Sequence, residues 1–397
     1  MSFAPQDEGG LAEVFRDAAA RAAPLRLVGA GSKRALGRPS AGEQVSLAGF
    51  SGVTLYEPEE LVISAGSATP RAEIEALLDG HGQELAFEAI DFGALFGSGS
   101  GTIGGLVATG ASGPRRIKAG ALRDHLLGFR CVTGRGEIVK SGGRVMKNVT
   151  GYDLSKLVAG SFGTLAALTE VTLKVLPKAE SEVTLLVTGL DEPQSLAALR
   201  QASQAPLDAS GFAMLPAAAR HLALATNAAA IRLEGPAISL DARRDALAVL
   251  LAPLGGAFET LDAAASRALW RSLRDAEPVA QSSGQLWRVS LAPTDGAALP
   301  DRLRASGSPP SAHFYDWAGG LVWLGFEPAE DAHAGALRPI VEDLGGQATL
   351  IRADDEIRAR VGVFQPQPLA LAALSRRVKE SFDPAHILER GRLSAEF

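Results

Sequence analysis

Seven glycines fall within the seventeen residues 97–113, GSGSGTIGGLVATGASG, where the chain's 44 glycines in 397 would place about two. A stretch so poor in side chains neither sustains a long helix nor packs well as a strand. It suits tight turns and the close approach of backbone to a bound molecule. Gly99, Gly101 and Gly104 satisfy G-x-G-x-x-G, but the dinucleotide fingerprint also needs a strand before it and a long helix after it. The preceding AIDFGALFGS reads as loop, and Gly110, Gly113 and Pro114 rule out a long helix beyond it, so a Rossmann unit is rejected.

Another glycine loop lies earlier in the chain, and in chain order it is the first of the two. LAEVFRDAAARAA (11–23) has helical apolar spacing, Pro24 ends it, and LRLV runs as a strand into GAGSK. Consecutive backbone N–H groups in such loops form concave anion sites without several lysines. FAD has a pyrophosphate and a long flat ring, both of which need close backbone approach. VGAGSK (28–33) and GTIGG (101–105) are the candidate contacts, with Ser32, Thr102 and Ser112 adding hydroxyls. A branched side chain at Gly104 or Gly105 is expected to block that approach while the protein stays folded. Each glycine taken singly is equally explained by a turn; the paired loops favour binding.

The rest of the chain bounds the class. RAEIEALLDG reads as a helix capped by Gly80, LLGFRCVTGRGEIVKSGG as a hairpin turning at Gly134 and Gly136, and LAALTEVTLKVLP as a closing strand. Beyond about residue 180, strands alternate with Ala/Leu-rich helices and all four tryptophans appear, which places a boundary near Lys178. A net charge of −6 gives no reason to expect nucleic acid. No run of 18 apolar residues and no basic leader pattern at the start point to a cytoplasmic protein without a transmembrane segment. The single Cys131 cannot house an iron–sulfur cluster, and the six scattered histidines suggest no metal site.

RLVGAGSK, TIGGLVATGASGPRR, RDHLLGFRCVTGRGEIVKSGGRV and KNVTGYDLSKLVAGSFGTL, in this order, resemble the PCMH-type FAD-binding family of vanillyl-alcohol oxidase and the D-2-hydroxyacid dehydrogenases. VMKNVTGYDLSKL, LWRVSLAPT and YDWAGGLVWLG extend the likeness to the FAD-binding subunits of bacterial glycolate oxidases. The resemblance implies an α+β fold: a PCMH-type FAD-binding domain of two α/β subdomains (1–178), a smaller α+β cap (179–345) and a C-terminal segment returning to the FAD domain (346–397). It implies FAD contacts at Gly29, Ala30, Gly31, Ser32 and Lys33 and at Gly101, Thr102, Ile103, Gly104 and Gly105. Ser112, Gly113, Asp153, Gly163 and Thr164 lie in matching later segments.

No histidine or cysteine stands in either loop where covalent members of the family attach the flavin, so a non-covalent FAD is implied. The expected role is in oxidation of glycolate, a small 2-hydroxy acid, within a complex containing a hydroxyacid-oxidising FAD subunit and an iron–sulfur subunit, with any inner-membrane contact made through those partners. A self-sufficient FAD oxidoreductase of a hydroxy acid or sugar alcohol, and a non-catalytic assembly subunit, remain as alternatives.

Phe162 and Ala166 replace a Glu and a Gly usual in related dehydrogenases, and Glu389-Arg390 replaces Asn-Pro ahead of Gly391 and Arg392, which leaves the docking of that end open. Catalytic residues are not assigned. Arg115 and Arg116 face either FAD or a small anion, or the surface or an interface, Lys147 and Tyr152 either the ring or the core, and Tyr315, Asp316, Trp317 and Trp323 either a cleft or subunit contact or a strand pair around a glycine turn. Arg288 stays unassigned.

Overall fold

The computed structural model describes residues 2–143, 152–217 and 226–396. The chain mixes helices and strands and forms two compact units. The first comprises Met1–Ser112, Gly120–Lys178 and Pro366–Phe397; the second comprises Gly113–Ala119 and Ala179–Gln365.

In the first unit, Asp7 caps the helix Glu8–Arg21 through the Gly10 N–H, and Leu11, Phe15 and Ala18 bury its apolar stripe. Ala22 takes a left-handed conformation and ends it, so the chain enters the strand Leu25–Val28. That strand pairs in parallel with Glu43–Ser46, which in turn pairs in parallel with Ser2–Phe3. A second, antiparallel sheet runs in the order Val53–Glu57, Val62–Gly66, Ala166–Lys174, Leu126–Thr133 and Ile138–Gly142. The hairpin expected from Gly134 and Gly136 forms, with Gly136 at φ 71°. Gly80 follows the helix Arg71–Asp79 as its cap in a right-handed conformation, and it is Gly82, two residues on, that takes positive φ.

The last segment closes this unit from the far end of the chain. Leu25 donates its N–H to the Ile387 carbonyl at 2.6 Å and accepts from the Glu389 N–H at 3.0 Å. The buried Lys379 ammonium donates to Asp383, to the Thr164 carbonyl and to the Leu388 carbonyl at 2.6, 2.7 and 3.0 Å. Asp383 also accepts from the N–H groups of Ile387 and Leu388. Every charge in this pair is therefore hydrogen-bonded, which is what makes a buried ion pair tolerable.

The second unit is built on an eight-stranded antiparallel sheet: Ala257–Leu261, Ser181–Thr188, Ala228–Gly235, Ala209–Leu215, Ala312–Asp316, Leu321–Gly325, Leu286–Ser290 and Gln347–Arg352. Alternation sorts its side chains into two faces. Leu185, Ile231, Trp287, Val289, Tyr315 and Val322 point into the main core. Residues offset by one, including Thr184, Arg232, Arg288 and Trp323, occupy the other face. No described helix is long and apolar enough to cross a membrane.

Candidate functional site

A cavity in the first unit is lined by the first glycine loop, the start of the second, and residues drawn from the C-terminal segment. Gly29, Ala30, Gly31, Ser32 and Lys33 form one wall, with Thr102, Gly104 and Gly105 opposite, and Phe162 and Gly163 beside them. The loop leaves the strand Leu25–Val28 and turns at Gly31, whose φ of 75° suits glycine. Among the described residues, the backbone N–H groups of Ala30, Gly31, Ser32 and Lys33 have no hydrogen-bond acceptor. Four successive unpartnered donors at a cavity wall suit an anion.

Lys33 adds a charge to that wall. Its ammonium lies 3.4 Å from the Ser32 hydroxyl and, among the described residues, has no ion-pair partner. Burial, and then the neighbouring Arg71 guanidinium, push it down to about 8, against the opposing pull of Asp91. Arg71 is held by Asp91 at 2.8 Å and by the Ala89 carbonyl at 3.1 Å, so Asp91 is already committed. Lys33 is therefore a cation awaiting an anion.

Thr102 caps the two-turn helix Ile103–Thr109, accepting from the Gly105 N–H at 3.3 Å, and Gly110 ends that helix at φ 62°. Part of the preceding stretch expected as loop forms one helical turn, Gly93–Phe96, which is still no strand and keeps the Rossmann geometry absent. The glycines of this segment serve different ends. A Cβ on Gly105 would lie 3.4 Å from the Thr102 hydroxyl and 3.8 Å from the Lys33 ammonium, in the cavity wall. A Cβ on Gly104 would instead lie 2.6 and 2.7 Å from the Ser67 Cβ and carbonyl, so that glycine is required by chain packing. The expectation that both admit a branched residue without harm to the fold is corrected for Gly104. Gly101, at φ 81°, abuts Ser32 and Lys33 and leaves no room for a side chain.

The remaining positions fall elsewhere. Ile103 is fully buried, and its N–H bonds to the Thr69 carbonyl. Ser112 accepts from the Leu122 N–H, and Thr164 donates to the Ser161 carbonyl while its own carbonyl receives Lys379. Asp153 is exposed and caps Leu154–Val158; Tyr152 is 92% exposed. Lys147 lies outside the described residues. Gly113 belongs to the second unit, where its carbonyl accepts from the Trp317 indole at 3.2 Å.

Sequence reading did not assign the C-terminal wall. Glu389 accepts from the Leu27 N–H and the Ser40 hydroxyl, both at 2.7 Å, and burial holds its carboxyl above the usual range. Arg392 donates to the carbonyls of Lys33 and Arg38 at 3.2 Å, bracing the loop from behind. Both line the cavity, so Glu389 does its work by ordering the first loop at the position where the family pattern has another residue.

In the second unit, Arg115 forms an ion pair with Glu234. Tyr315 and His313 both meet Glu192, His313 at 3.0 Å, so Tyr315 is a core residue with a satisfied hydroxyl. The YDWAGGLVWLG segment is a strand pair, Ala312–Asp316 with Leu321–Gly325, joined by a 3-10 turn at Trp317–Gly319.

Residues 1–142 match the model of the FAD binding domain family. The chain is 35% identical over 387 residues to glycolate oxidase subunit GlcE of Escherichia coli (strain K12), covering 97% of each chain. It is 37% identical over 150 residues to a D-lactate dehydrogenase of Anaerostipes hadrus, covering 37% of this chain and 29% of that one. Its fold is that of p-cresol methylhydroxylase, with a TM-score of 0.72 at 15% identity over all of this chain and 89% of that one. Alkyldihydroxyacetonephosphate synthase shares it at a TM-score of 0.68 and 16% identity, over 98% and 76%. With an FAD binding domain at its start and a likeness that runs end to end, the chain belongs to the family of the glycolate oxidase subunit GlcE.

Proposed function

We propose that this chain holds FAD without a covalent bond and acts as the FAD-binding subunit of a heteromeric glycolate oxidase. The complex oxidises glycolate to glyoxylate and passes the electrons to an iron–sulfur subunit, in the cytoplasm. The end-to-end likeness to GlcE supports the assignment, and one observation carries the cofactor: four unpartnered backbone N–H groups and the Lys33 ammonium share one glycine-lined wall. When bound, FAD supplies a two-electron acceptor. The residues do the rest. Ala30 to Lys33 take the pyrophosphate charge, Gly29 and Gly105 keep the wall free of side chains, Gly101 leaves room for Ser32 and Lys33, and Phe162 and Gly163 border the apolar part. Glu389 and Arg392 hold the first loop in place. No side chain lining the cavity is a histidine or cysteine, which favours non-covalent retention.

The chain is purified, denatured in acid, and the released flavin compared with the total. All of it emerges as free FAD; flavin that stays with the denatured protein overturns the non-covalent reading. Glycolate-dependent dye reduction is then followed for the chain alone and for the chain combined with a hydroxyacid-oxidising flavoprotein and an iron–sulfur subunit. Turnover appears in the combination. Equal turnover by the isolated chain makes it a self-sufficient oxidoreductase instead, and full activity of the complex without it makes it dispensable.

A further inference from the structure

The second face of the eight-stranded sheet carries a guanidinium that no described residue satisfies. Arg288 lies on the strand Leu286–Ser290, opposite Trp323 in register, while its neighbours Trp287 and Val289 face the core. Its guanidinium carbon is 4.9 Å from the Trp317 ring centre and 5.9 Å from that of Trp323. Among the described residues it makes no hydrogen bond and no ion pair. Its Nε is buried without a partner among the described residues. A half-buried cation held only by ring faces is costly, because cation–π contacts offset desolvation only in part.

The surroundings are charged and fixed. The Arg116 guanidinium lies 4.8 Å from the same Trp317 ring. Asp316 is the nearby carboxylate, and its charge favours the charged form of Arg288 while burial and Arg116 oppose it. Trp317 is set in place by strain: it and Ala318 both take left-handed backbone, at φ 53° and 56°. For residues other than glycine this costs about 1 kcal/mol or more each. Asp316 accepts the Trp317 N–H at 2.7 Å, and the indole N–H is fastened to Gly113. A strained, pinned indole beside a guanidinium fork that has no acceptor suits an occupant that is planar, anionic and small.

We propose that Arg288, between Trp317 and Trp323 and beside Arg116, receives the carboxylate of a small organic acid. The choice of glycolate as the probe rests on the function proposed above; the site itself does not. A carboxylate in the fork supplies the two acceptors that the terminal nitrogens lack, and the indoles shield that pair from water.

The test uses the purified, flavin-loaded chain in equilibrium dialysis with labelled glycolate and labelled acetate, without an electron acceptor. Acetate has no hydroxyl to oxidise, so its binding is read apart from any turnover. Both bind saturably to the wild type, and Arg288→Gln weakens both by about tenfold or more, the loss of a charge-assisted pair. Arg288→Lys, which keeps the charge and loses the fork, falls between. Since a variant can fail to fold, phenylglyoxal modification of Arg288 is also mapped in the wild type, and saturating glycolate slows it. Unchanged binding in a folded Arg288→Gln, no protection of Arg288, or binding of inorganic phosphate that neither acid displaces overturns the proposal. Carboxylate binding with no glycolate oxidation by the complex leaves this site standing and removes the proposed function; an active complex whose Arg288 binds no acid does the reverse.

Discussion

The glycine-lined cavity of the first unit and the arginine–tryptophan face of the second are both suited to anions, and they reach that state by opposite means. In the cavity the receptor is main chain: side chains are removed, N–H groups are left unpartnered, and a single ammonium adds charge. On the sheet the receptor is side chain: one guanidinium fork, oriented by two indoles, one of which stands on strained backbone. A backbone receptor depends on the path of the chain and can follow a long, charged outline such as a pyrophosphate. A fork recognises one planar group. The first arrangement is sensitive to any added bulk, and the second to the loss of one residue.

The largest effect is expected where the chain path itself is held. Lys379→Met leaves Asp383 charged and buried, so the first unit loses about 3–5 kcal/mol and its FAD with it, as read by thermal denaturation and flavin content. A variant of wild-type stability would show that the cavity does not depend on the C-terminal tie. Next comes bulk in the wall. Gly105→Val keeps a folded protein but purifies colourless, whereas Gly104→Val costs stability, about 2–3 kcal/mol or more, through its clash with Ser67. If the two variants behave alike in circular dichroism and in flavin content, the separate roles given to these glycines fail.

Removing charge should cost less than adding bulk. Lys33→Met weakens FAD by about 10- to 100-fold in a titration of the flavin-free protein, one charge-assisted contact among several. The same residue gives a pH signature. Free Lys33 is charged below about 8, and a bound anion raises that value, so FAD affinity is full at pH 7 and declines as pH rises through and above 8. Wild-type affinity constant to about pH 9.5, or a decline that persists in Lys33→Met, assigns the titration elsewhere. The smallest effect belongs to the second unit. Trp317→Phe keeps an aromatic face over Arg288 but loses the Gly113 hydrogen bond, and it weakens acetate binding by about two- to fivefold while leaving flavin content unchanged.

The two regions were not equally legible in the sequence. The cavity's main wall was, because glycines at 29, 31, 104 and 105 leave a signal wherever backbone must come close. Its closing wall was not: Glu389 reaches Leu27 across 362 positions, and no local pattern announces such a contact. Gly104 was expected to keep a side chain away from the cofactor, whereas the neighbour that leaves no room is Ser67, which only the fold brings there. Arg288 gave no reading at all. In LWRVS the alternation shows that it faces away from Trp287, but what covers that face arrives from Trp317 and Arg116, far off in the chain.

The path by which the first unit closes also sets an order of events during synthesis. Residues 366–397 belong to that unit, yet they are translated only after the whole of the second unit. Until Ile387 and Glu389 emerge, Leu25 and Leu27 lack the partners that fix the strand leading into the first loop, and Arg392 is not there to brace Lys33. The nascent chain therefore carries an unfinished cofactor wall while the whole of the second unit is made. Cofactor capture becomes a step that waits on the second unit, and a chain stopped short of residue 387 would leave the ribosome with its glycine loops made but no fixed outline to offer a flavin.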